Sequence, residues 1–160
     1  MTLKTYRRLE LAENQLEAAI GLFVSGGDKY SVISLAGAAD VILCRLVSNF
    51  GEENFTEFSM RQEAERGLPV GTIQSHGKDI NDTLFINHLK HMDEDEDEDG
   101  YIELDVEECA LGSILKALAN YVILAGREKD FVKAFLAWVR LNLDPNKYNI
   151  HCDPNWKPTT

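Results

Sequence analysis

The chain has 160 residues, 44% of them hydrophobic, with 27 acidic and 16 basic side chains and a formal charge of −11. That length suits a single domain with a substantial core, and no apolar run approaches the ~20 residues needed to span a bilayer. Basic residues open the chain with no apolar signal-peptide core behind them, and Cys44, Cys109 and Cys152 are scattered singly. The expectations are a cytoplasmic protein without membrane association, a disulfide framework or a zinc site.

In chain order, Tyr6, Leu9, Leu16, Ile20 and Phe23 recur at helical spacings and predict a first helix, closed by Ser25-Gly26-Gly27-Asp28. A second helix is expected from Lys29 to Asn49, with Leu35, Ala36, Ala39, Leu43, Leu46 and Val47 inward, stopped at Gly51. Phe55 and Phe58 can anchor a short helix before the breaker Gly67-Leu68-Pro69-Val70-Gly71. A third helix is predicted over 78–92. Helix four spans about 105–125 on Val106, Cys109, Ser113, Leu118, Tyr121 and Val122. Helix five spans about 128–143, with Phe131, Phe135, Trp138 and Val139 inward, and Asp144-Pro145 ends it. No stretch alternates like a strand. The predicted fold is therefore all-α, an antiparallel up-down bundle of about five helices over residues 1–145. A loose tail follows over 146–160, pinned by Trp156.

Ile80, Leu84, Asn87 and His91 fall at i, i+4, i+7 and i+11 of the third predicted helix, so one stripe runs from apolar to polar. Histidine exchanges protons near neutral pH, and an amide can orient a substrate or meet a phosphate oxygen. The plainer reading makes both residues polar caps near a helix C-terminus. His88 and His91, at i and i+3, offer a weak metal pair. Asp40 interrupts an apolar face and needs a partner: Arg45 or Lys116 in a structural contact, or His91 across the bundle.

Residues 93–108 hold eleven acidic side chains and no basic one, leaving the rest of the chain electrically balanced. Within them Asp95, Asp97, Asp99 and Gly100 reproduce the first half of an EF-hand calcium loop, with Glu103 a further possible ligand. Position twelve, normally a bidentate glutamate, is Val106, and Glu107 comes one residue late. A solvated acidic loop, a Ca²⁺ site and a docking surface for a basic protein partner all remain open.

The stretch Ile80-Asn81-Asp82-Thr83-Leu84-Phe85-Ile86-Asn87-His88-Leu89-Lys90-His91 resembles the motif helix of HEPN domains. These are small helical domains, often dimeric, many of which are metal-independent ribonucleases. The resemblance implies a HEPN-like bundle and a homodimer, with Asn87 and His91 as the motif's polar residue and histidine. It places Asp40 in the segment that carries an acid. The family's arginine falls on Ile86, which cannot hold a phosphate; Lys90 could supply a point charge without the bidentate fork. The function implied is a degenerate nuclease-type site kept for binding or regulation, with a nucleotide, nucleic acid or protein as partner. The alternative is an active endoribonuclease using His91, Asn87 and Lys90.

Overall fold

The structure is a computed structural model that describes residues 1–91 and 100–157. Among these residues it is all-helical, with no strand: α1 Arg8–Val24, α2 Lys29–Asn49, α3 Phe55–Glu65, α4 Ile73–Thr83, α5 Val106–Ala125 and α6 Asp130–Asn142. Side-chain caps fix most of the starts. Asp28 accepts from the Ser31 amide ahead of α2, and Asp105 accepts from that of Glu108 ahead of α5. Asn54 and Glu57 form a capping box on α3.

The helices form one core, in which α2 packs most extensively, between α1 and α5. Side-chain pairings give their directions. Lys29 at the start of α2 lies 4.0 Å from Glu107 at the start of α5, and farther along Asp40 meets Lys116 and Asn120. Contacts that advance together along both helices mean that α2 and α5 run parallel. Similarly, α1 meets α6 through Glu13 with Lys129 and Phe23 with Trp138, so these two are also parallel. Glu13 reaches Tyr121 while the end of α1 lies by the start of α2, which sets α1 antiparallel to α2 and α5.

The order α1, α2, α5, α6 is thus up-down-down-up, which corrects the expected up-down alternation. Residues 50–105, between α2 and α5, give a connection long enough for a crossover, and a parallel neighbour requires one. α2 and α5 are also long and apolar enough, by length and composition alone, to cross a bilayer. In the fold they are the central core helices.

Two further corrections bear on function. The crossover holds two short helices, which makes six helices among the described residues where about five were expected. The second, α4, begins at Ile73 and ends at Thr83 instead of spanning 78–92. The tail is not loose: Ile150, Cys152 and Asp153 are buried. Asp153 pairs with Arg140 at 2.7 Å, the Arg127 guanidinium donates to the Cys152 carbonyl at 2.5 Å, and the Trp156 indole donates to that of Tyr148.

Candidate functional site

The predicted stripe of Ile80, Leu84, Asn87 and His91 is broken. Leu84 caps α4, and Phe85 takes a left-handed φ of 59°. The Ile86 amide reaches back to the Asn81 carbonyl and the Phe85 amide to that of Asp82, a Schellman closure made without glycine. Such a φ costs a bulky residue about 1–3 kcal/mol. Burying Ile86, which is 2% exposed, in the core offsets that cost.

One helical turn survives beyond the break, since the His91 amide bonds to the Asn87 carbonyl at 3.0 Å. Asn87 and His91 therefore remain neighbours in the chain path, but their side chains do different things. The Asn87 amide donates to Asp82 at 2.9 Å. Lys78 also bonds to Asp82, and these two contacts, Lys78 first, hold its carboxyl below the usual range. Lys90 and His91 are exposed, and the His88 ring packs on Phe85 at 4.9 Å.

Asp40 is 3% exposed, and its partners are Lys116, in a buried ion pair, and Asn120, which donates at 2.7 Å. The Asn120 carbonyl oxygen accepts from the Phe55 amide at 2.8 Å. The network ties α2 to α5 and seats the start of α3. Of the sequence alternatives for Asp40, Lys116 is the partner, and neither Arg45 nor His91 is.

Of the expected calcium ligands, Asp95, Asp97 and Asp99 lie outside the described residues. Glu103 is exposed. Of the acids just past position twelve, Glu107 lies by Lys29, and Glu108 bonds Lys147 and Tyr148.

A concave feature lies elsewhere among the described residues. A cleft of about 820 Å³ opens between α3, α4, α5 and the tail, within the ~300–1,000 Å³ usual for small-molecule sites. Phe55, Phe58, Ile80, Leu84, Leu115 and Val122 give it apolar walls. Several of its charges are already matched: Lys116 by Asp40, and Glu53 by two 3.0 Å bonds from Arg61. Burial pushes the Cys152 thiol up to about 11, so it stays neutral and unreactive at physiological pH. Burial, with the Arg66 cation, moves the His151 imidazole below its ordinary value, and its ring sits edge-on to Phe58 at 4.8 Å.

On the same wall the Ser59 hydroxyl lies 3.1 Å from His76 Nε2, and Glu63 Oε2 lies 3.7 Å from His76 Nδ1. Ser59 and Glu63 are one turn apart on α3, facing the same way. The His76 side chain is only 11% exposed. If Nδ1 carries the proton, facing Glu63, then Nε2 is free to accept from the hydroxyl.

No protein-family model, curated protein or solved structure matches the chain.

Sequence reasoning missed the cleft because its walls come from four separated segments. A partial signal existed in Ser59 and Glu63 at i and i+4, with a histidine shortly after the Gly-Pro breaker. No linear spacing connects them.

Proposed function

We propose that this chain is a helical binding domain that takes a small, uncharged, largely apolar molecule in the α3–α4–α5–tail cleft. The observation that carries the proposal is the cleft's combination of size and apolar walls, with Lys116 and Glu53 on its lining already paired. A ligand there would gain about 25 cal/mol for each Å² of apolar surface removed from water. A charged ligand would have to compete with ion pairs already made. Titration with N-phenyl-1-naphthylamine, an uncharged apolar fluorophore, tests the reading. Saturable binding near one per chain, stronger than that of the anionic 1-anilinonaphthalene-8-sulfonate, is expected; no binding, or preference for the anion, contradicts it.

A second reading keeps the HEPN-like resemblance: a homodimer whose nuclease-type site is degenerate and binds a nucleotide or nucleic acid. The exposure of Lys90 and His91, one turn from Asn87, favours an accessible surface there. The burial of Ile86 weighs against catalysis, because a phosphate-binding arginine at that position would start in the core. RNA incubated with wild type and with His91→Ala, in EDTA, is expected to remain intact in both. Cleavage by wild type alone would restore the endoribonuclease reading.

A further inference from the structure

We infer that Ser59, His76 and Glu63 form a nucleophilic centre for carboxylic esters with apolar acyl groups; the inference rests on the cleft being a ligand site. Three observations converge. The Ser59 hydroxyl is within proton-transfer reach of His76 Nε2, at 3.1 Å. A carboxylate stands on the other side of the ring, 3.7 Å from Nδ1, where its charge favours a proton on that nitrogen. All three side chains line the cleft, so an ester seated among the apolar walls would reach the hydroxyl. A purely structural tie between α3 and α4 would not need to face a cavity of this volume.

The chemistry balances without a cofactor. As Ser59 Oγ bonds to the ester carbonyl carbon, its proton passes to His76 Nε2 and the carbonyl electron pair moves onto oxygen. Collapse of that intermediate breaks the bond to the alkoxy oxygen, which leaves as an alcohol with the proton from His76. Water then attacks the acyl-serine, giving its proton to His76. Release of the carboxylic acid returns the proton to Ser59. Ester and water become acid and alcohol. Glu63 is a positioning residue, acting only through the imidazole.

Ser59 lies within α3, where its own amide is part of the helical ladder and cannot serve as an oxyanion donor. Acylation and deacylation are therefore both slow, and the acyl-enzyme accumulates only from an activated ester, whose good leaving group speeds the first step alone.

The test uses the full chain with an alkyl fluorophosphonate, read by intact mass and peptide mapping, and with 4-nitrophenyl butyrate, read for a burst. Wild type is expected to gain one adduct on Ser59 and to show a burst of about one equivalent. Ser59→Ala is expected to lose both while keeping the wild-type circular dichroism spectrum and melting temperature. His76→Gln should slow labelling by ~10²-fold or more, the usual contribution of a general base. Glu63→Gln should lower the labelling rate at saturating probe without changing the half-saturating concentration, a split that mere loosening of α3 would not produce. Absence of any adduct in wild type that binds the fluorophore overturns the nucleophile and leaves the binding reading standing. Absence of both overturns the two together. Labelling elsewhere, or unchanged in His76→Gln, also refutes the centre.

Discussion

Ile86 packs so closely on Gly37 that a methyl group added to Gly37 would lie 2.6 Å from Ile86 Cγ2. The residue that the HEPN resemblance aligns with a catalytic arginine is therefore a core residue, seated on α2 in a notch that only glycine leaves open. Gly37→Ala should destabilise by about 1–3 kcal/mol through overpacking. Combining it with Ile86→Val should recover part of that loss, because the two sites share one space. Ile86→Arg would bury a guanidinium, and a large loss of stability with no gain of RNA cleavage is expected. Chemical denaturation of the four variants measures the coupling, and strict additivity would contradict the contact.

That notch also explains what the sequence could and could not reveal. The second, fourth and fifth predicted helices are present as α2, α5 and α6, because long apolar periodicity and side-chain caps act locally. The start of α4 stayed hidden because Thr72 is capped reciprocally by Ser75, where a glutamate or glutamine would have been the recognisable sign. Its end stayed hidden because a tertiary demand, the burial of Ile86, overrides a helical pattern that runs on to His91. Asp40 was legible as an acid in need of a partner. Choosing Lys116 required knowing that α2 and α5 run parallel, a consequence of the long crossover.

The Asp40–Lys116 pair makes a separate prediction. Both side chains are about 95% buried, so Asp40→Ala leaves an ammonium in the core without its counter-charge. The expected cost is about 3–5 kcal/mol. Asp40→Leu with Lys116→Met should recover part of it, since an apolar pair avoids both desolvation penalties while the buried Asn120 amide still lacks its acceptor. Urea denaturation decides: a double variant as unstable as Asp40→Ala would contradict the account.

Tyr121 gives a pH dependence. Its ring is fully buried and its hydroxyl donates to Glu13 at 2.8 Å; burial, then that hydrogen bond, raises its pKa well above the ordinary tyrosine value. The unfolded chain releases this proton near pH ~10 while the folded one retains it. Its contribution is thus fully present below ~10 and is lost as pH rises further. Melting temperatures at pH 9 to 11.5 should fall more steeply for wild type than for Tyr121→Phe. Parallel curves would contradict the assignment.

The tail forms one wall of the cleft and depends on Arg140. Asp153 is wholly buried at its side chain and bonds Arg140 at 2.7 Å, while also accepting from the Asn155 amide. Arg140→Ala should cost about 1–3 kcal/mol, less than a fully buried pair because Arg140 is one-third exposed. Proteolysis should cut the variant within 146–157 while sparing wild type. Equal resistance of the two would show that the tail is held without this pair.

The binding cleft is the central claim, and Ala119 allows the most direct test of it. Ala119 lines the cleft from α5 and is partly exposed to it. Ala119→Trp would fill that space with an indole. The measurement is a fluorescence titration of N-phenyl-1-naphthylamine into wild type and Ala119→Trp, with matched circular dichroism spectra. A loss of affinity of at least ~10-fold in the variant, equivalent to about 1.4 kcal/mol, is the predicted result. Equal affinity in the two proteins would place the ligand elsewhere and contradict the account.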